Sequence, residues 1–184
     1  RARSVSAYLF KEEQFIGNRD KYADPRNSCL NQVLERRTGI PITLSIVYLE
    51  VARRAGLLAN GVNFPGHFLV HCPDEESLGG MVLDPFNRGT NLSEKDCHRL
   101  LEQHAGPDVT FERSLLAPAT REQIVVRMLF NLKNLYVHMR SFPQAYAVTE
   151  LLVEMNPSAL NELRDRGLLA YHLNDISSAL SDLQ

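Results

Sequence analysis

The sequence contains no tryptophan, few cysteines and almost no net charge. Its three cysteines, Cys29, Cys72 and Cys97, cannot all pair with one another and have no metal-ligand spacing. That usage argues against a disulfide scaffold and predicts a reducing, cytoplasmic setting. With 20 basic and 22 acidic side chains the formal charge is -2. The broad positive field of a nucleic-acid binder is missing, so no nucleic-acid partner is expected. No apolar run approaches the roughly 20 residues a membrane helix needs, so no membrane partner is expected either. No charged-then-apolar leader opens the chain. It begins at Arg1 rather than Met, and the natural start is expected to lie upstream. Phosphate loops, dinucleotide fingerprints and paired-cysteine motifs are absent. His67 and His71 stand roughly 13 Å apart on an extended strand, too far for one zinc ion. The expectation is therefore no metal and no cofactor.

What is present is ordinary globular material, 44% hydrophobic and 23% charged. A length of 184 residues suits one ample domain, or one domain with a small appended module. Charge is unevenly spread. Residues 1–60 carry 10 basic and 6 acidic groups, and residues 61–120 carry 4 and 9. The two thirds either dock on each other or form solvated surface.

Apolar spacing predicts a helix over residues 4–15, then a loop at Gly17-Asn18 and Asp24-Pro25. Asn27 or Ser28 is placed to cap a second helix ending at Gly39. Pro41 opens the clearest helix, because the first helical position needs no N–H. Leu44, Val47, Tyr48, Val51 and Ala55 repeat along it, and Gly56 stops it. This helix should be central to the core. Strands are expected near Val62, over residues 67–72 and over 81–84, with a turn-rich link at 73–80. Ser93 to Asp96 and Thr120 to Gln123 each read as a capping box opening a helix. These signals divide the chain into a core at 1–106, a linker at 107–119 and a helical module at 120–184.

The last module repeats with a period of 34: Leu129 matches Leu163, Leu135 matches Leu169, His138 matches His172 and Ala145 matches Ala179. Two helices at that period are the tetratricopeptide signature. Lys133 stands where the pattern prefers glycine, and Arg166 replaces an apolar residue. The second unit stops short at Gln184, so a truncated chain or a missing third repeat is expected. The first helices of such units build a concave face. Arg127, Asn131, Asn134, His138, Arg164 and His172 are the candidates for it. Their basic and amide groups suit a peptide carboxylate, so the expected partner is a protein or peptide held by the repeats.

The middle third holds two polar residues at apolar strand ends, His67 and Asp84. A histidine beside an aspartate is the second half of a catalytic triad. The natural nucleophile position, the start of the central helix, holds Pro41, which has no reactive atom. Thr43 and Ser45 lie deeper in that helix. Cys29 precedes it, and Cys72 and Cys97 read as structural.

Gly39-Ile40-Pro41, with Gly56 fifteen residues after Pro41, resembles the nucleophile helix of the transglutaminase-like superfamily, where a Gly-x-Cys motif stands. On that resemblance His67 and Asp84 match the catalytic histidine and aspartate, and Pro41 takes the place of the cysteine. More closely, the chain resembles the SirB family, a transglutaminase-like core followed by tetratricopeptide repeats. The motifs carrying this are Tyr8-Leu9-Phe10, Phe15-Ile16-Gly17-Asn18, Asp24-Pro25-Arg26-Asn27-Ser28, residues 39–45, Pro65-Gly66-His67-Phe68-Leu69 and Leu83-Asp84-Pro85-Phe86. The resemblance implies an α+β fold: a core with a small antiparallel sheet, then an all-α module. It implies a triad remnant of His67 and Asp84 and a non-catalytic interaction or regulatory role. The alternative is a hydrolase or acyltransferase that uses His67 and Asp84 with a displaced nucleophile.

Overall fold

The computed structural model describes residues 1–73 and 79–184. The link expected at 73–80 therefore falls largely outside the described residues. The chain forms two compact units, residues 1–124 and 125–184.

In the first unit, α1 (Ala2–Ala7) runs into a π-helical turn, Tyr8–Glu12. A single regular helix to residue 15 does not form. The wider turn buries Leu9 and Phe10 together, and Gln14 leaves the helix in a left-handed conformation. Two-residue strands β1 (Ile16–Gly17) and β2 (Thr38–Gly39) pair in parallel. Between them come a 3-10 turn, Pro25–Ser28, and α2 (Leu30–Arg36). The turn is capped by Asp24, so Asn27 and Ser28 are not the caps of α2. Helix α2 stops at Arg37 in the left-handed region, which frees Gly39 to pair with Gly17.

Helix α3 (Pro41–Arg54) follows with proline at its first turn. The Thr43 hydroxyl accepts from the Ile40 N–H at 3.1 Å, which satisfies one of the unpaired amides at the helix start. A four-stranded antiparallel meander comes next: β3 (Asn60–Val62), β4 (Leu69–Cys72), β5 (Met81–Asp84) and β6 (Thr90–Leu92). Strand alternation divides this sheet between two cores. Val70, Cys72 and Leu83 face α3 and pack with Leu44, Val47 and Tyr48. Val62, Leu69 and Val82 face away and pack with Phe64, Cys97, Leu101 and Phe111. Cys97 and Leu101 come from α4 (Glu94–Ala105), which the Ser93–Asp96 capping box opens.

Residues 107–119 lie on this second core. Phe111 is buried in it, Leu115 and Leu116 pack against it, and Pro118 bridges to Val62. Helix α5 (Arg121–His138) starts at a reciprocal cap, with Thr120 and Gln123 each bonding the other's backbone N–H.

The second unit continues with α6 (Phe142–Met155), α7 (Leu160–His172) and α8 (Ile176–Leu183). Ala145, Ala170 and Ala179 are buried where the repeat pattern needs small residues. The two departures from that pattern are ion-paired. Lys133, 5% exposed, reaches Glu162 and Asp165 of α7 at 2.7 Å each. Arg166 grips both carboxylate oxygens of Asp182 at 2.6 Å. No helix among the described residues is long and apolar enough to cross a membrane.

Candidate functional site

Asp84 ends β5, and its carboxylate caps the 3-10 turn Pro85–Asn87. Its Oδ1 accepts from the N–H groups of Phe86 and Asn87 at 3.0 and 3.3 Å, and Oδ2 accepts from the Asn87 side-chain amide at 2.5 Å. His67 Nε2 completes the set at 2.9 Å from Oδ1. Both side chains are buried, His67 at 6% and Asp84 at 1% exposure. Burial pushes the Asp84 pKa upward, but the hydrogen bond and charge of His67 and the bonds from Asn87 outweigh it, leaving the group below its ordinary value. Asp84 is thus an ionised acceptor with no proton to give. The hydrogen of that bond therefore belongs to His67 Nε2.

His67 reaches Asp84 from a turn rather than from a strand. Its N–H donates to the Phe64 carbonyl at 3.0 Å, and Gly66 is left-handed at φ +66. Strand pairing begins only at Leu69. The ring stacks on His104 with centroids 5.8 Å apart and meets the Phe86 ring edge-on at 6.0 Å. His104 presses against Gly66 so closely that an added Cβ would lie 2.4 Å from its own Cβ.

A hydrogen-bond chain extends outward from this pair. Arg19 Nη2 donates to Asn87 Oδ1, the Asn87 amide to Asp84, and His67 to Asp84. Arg19 also lies over the Phe86 ring at 5.7 Å, and Tyr22 meets that ring edge-on. Asn87, Arg19, Tyr22 and His104 were missed in the sequence. The motif containing Phe86 pointed toward Asn87, whereas nothing local marks the other three.

Pro41 is the buried first residue of α3. The hydroxyls after it are engaged with backbone. Thr43 Oγ1 donates to the Asn27 carbonyl at 2.8 Å, and Ser45 Oγ donates to the Phe68 carbonyl at 3.4 Å. Cys29 is half-buried just before α2. Cys72 lies in the first core, where burial raises its thiol pKa. Cys97 lies in the second, where burial, with Asp96 and Glu94 nearby, raises its pKa to about 11. Among the described residues no three His, Cys, Asp or Glu side chains gather where a metal ion could be held.

The repeat candidates sit on two helices. On α5, Arg127 and Asn131 are half-buried, while Asn134 and His138 are exposed. On α7, Arg164 is exposed and bonds Asp165 at 2.7 Å, and the His172 ring stacks on Phe142 at 4.6 Å.

Sequence comparison agrees with this arrangement. Residues 1–130 match the transglutaminase-like superfamily, and residues 132–184 match the tetratricopeptide repeat. A UPF0162 protein of Xylella fastidiosa (strain 9a5c) is 41% identical over 183 residues, covering 98% of this chain and 64% of that protein. Protein SirB1 of Salmonella typhimurium is 30% identical, covering 96% of this chain and 65% of its own length. F-box only protein 21 of Mus musculus is 32% identical over 92% of this chain and 28% of its own length. The chain thus spans just under two thirds of the length of the UPF0162 and SirB1 relatives. No solved structure matches it at the same stringency. The chain belongs to the transglutaminase-like superfamily, in the SirB family, whose core continues into tetratricopeptide repeats.

Proposed function

We propose that the chain is a non-catalytic, regulatory protein-interaction module. In this reading a transglutaminase-like core has lost its nucleophile, and the repeats hold a peptide. The observation that carries it is Pro41, which sits at the first turn of α3 with no reactive atom to offer. The nearby hydroxyls of Thr43 and Ser45 are already bonded to backbone oxygens. Two of the three thiols, Cys72 and Cys97, are buried and have raised pKa values, the opposite of an activated nucleophile. His67 and Asp84 then serve as structure: the carboxylate satisfies a buried imidazole and caps a turn. On the repeats, Arg127, Asn131, Asn134, His138, Arg164 and His172 form the peptide-binding face.

The test is thiol labelling against pH, read separately at each cysteine in the wild type and in His67→Ala. Cys72 and Cys97 should label slowly. Labelling at Cys29 should be indifferent to His67. A fast-labelling thiol that titrates far below the free value of about 8.5 and depends on His67 would sink the proposal. Peptides selected against the whole chain should lose affinity in Arg127→Glu and Arg164→Glu; unchanged affinity would remove the repeat face from it.

The second reading, a hydrolase or acyltransferase with a displaced nucleophile, keeps one observation in its favour. His67 and Asp84 retain the hydrogen bond that orients a general base. Turnover of an acyl substrate that disappears in His67→Ala would establish it.

A further inference from the structure

The described ion pairs of the first unit leave a set of cations out. From Arg26 to Arg113 every other arginine has a carboxylate partner, namely Arg26, Arg36, Arg37, Arg53, Arg54, Arg99 and Arg113. Arg88 has none among the described residues. None of the described pairs joins the basic stretch 1–60 to the acidic stretch 61–120.

Arg88 lies at the meeting point of three adjoining cavities, of about 420, 420 and 440 Å³. The first also takes Arg3 and Lys11, the second Arg19, and the third Lys11 again. Phe10 and Ile16 are further shared walls, so the three form one groove. Among the described residues no Asp or Glu lines any of them. Its described lining therefore carries four cations, Arg3, Lys11, Arg19 and Arg88, and no carboxylate. Arg88 is held there in a left-handed conformation, φ +57, directly before Gly89, itself at φ +68. Glycine or asparagine is the usual occupant of such a position; here it carries a long cation into the middle of the groove.

We propose that this groove binds an extended acidic peptide segment. The cations are distributed one or two to a cavity with Arg88 common to all, which matches carboxylates spaced along a chain better than one compact anion. The walls between them, Phe10, Phe15, Ile16 and Phe86, suit the apolar side chains of a peptide. Arginine and lysine supply charge-assisted bonds to its carboxylates. The groove also touches the buried pair, because Arg19 and Asn87 are both its lining and the outer end of the chain leading to Asp84. This site lies wholly in the first unit and stands whether or not the repeats bind peptide.

The test is fluorescence anisotropy of a labelled oligoglutamate of about ten residues, long enough when extended to follow the groove, against the whole chain at low salt. Saturable binding should weaken as salt rises. It should fall about tenfold or more in Arg88→Glu and in Lys11→Glu, the loss of at least one charge-assisted contact. Arg53→Glu, on the exposed end of α3, should change it less than about twofold. Arg88→Gly separates binding from folding. Glycine suits the left-handed backbone, so thermal stability should not fall while binding is lost. No saturable binding, binding indifferent to Arg88 and Lys11, or an equal loss in Arg53→Glu overturns the proposal. So does displacement by inorganic phosphate at a concentration equal to the peptide's, which would mark a small-anion site.

Discussion

At the scale of single residues, Asp84 has the most to hold. One carboxylate receives two backbone N–H groups, an amide and an imidazole inside a buried pocket. Asp84→Ala would leave all four donors without their acceptor. The expected cost is about 3 kcal/mol or more, since each orphaned buried donor costs on the order of 1–3 kcal/mol. Asp84→Asn keeps the shape and one acceptor oxygen and should cost clearly less. Urea denaturation of both variants measures the difference, and equal midpoints would show that the oxygen kept in Asp84→Asn contributes nothing. Gly66 gives a second case. Its φ of +66 and the 2.4 Å approach of His104 to a would-be Cβ leave no room for a methyl group. Gly66→Ala should destabilise by about 2 kcal/mol or more, combining backbone strain with overpacking. A wild-type melting temperature would refute that. The sequence showed these residues as a pair but misplaced one of them. Alternation along residues 67–72 looked like a strand from its first residue. The turn at Gly66 packs against His104, a contact from α4 that no local pattern records.

At the scale of elements, the helices were legible wherever their ends carry chemistry. Pro41 starts α3, and Ser93 with Asp96 and Thr120 with Gln123 start α4 and α5. Elements without such signals were missed: β1 and β2 are two residues each, and β6 is a short, half-polar edge strand. Their pairing is decided by partners distant in sequence. The repeat was visible through its period, and its departures only made sense in three dimensions. Lys133 looked like a poor substitute for glycine. It is in fact the tie between α5 and α7, buried beside Glu162 and Asp165. Lys133→Met would leave two carboxylates facing each other in a partly dry site. The expected loss is about 3–5 kcal/mol. Changing all three together, Lys133→Met with Glu162→Gln and Asp165→Asn, should recover most of it. Denaturant melts of the single and triple variants decide the matter, and a harmless single variant would mean the tie contributes little.

At the scale of the whole molecule, the buried ionisable groups set a dome of stability against pH. Asp24, Glu50, Asp84, Asp96, Asp165 and Asp175 all sit below their ordinary value in the fold, and Asp84 and Asp165 are the two for which burial is the largest single influence. Burial raises both, but Asp84 is lowered by His67 and Asn87, and Asp165 by Lys133 and Arg164. A depressed acid contributes stability that is fully present above its unfolded value, here 3.8, and is lost as pH falls through the lower folded value. One of the two lies in each unit, so acid should weaken both. The alkaline side has the opposite sign. Cys97 is raised by burial from 9.0 to about 11. The unfolded chain releases that proton first, so stability falls as pH rises from about 9 toward 11. Tyr48, buried and stacked on Phe10, is raised as well and extends the decline. Thermal melts should therefore be nearly flat from about pH 5 to pH 8 and should fall on both sides. Asp84→Asn should flatten the acid limb, because it removes a group that titrates differently in the two states. Cys97→Ala should do the same for the alkaline limb, whatever its effect on absolute stability. An acid limb unchanged in Asp84→Asn would mean that the His67–Asp84 bond does not hold the carboxyl ionised, and with it would go the assignment of the bond's hydrogen to His67 Nε2.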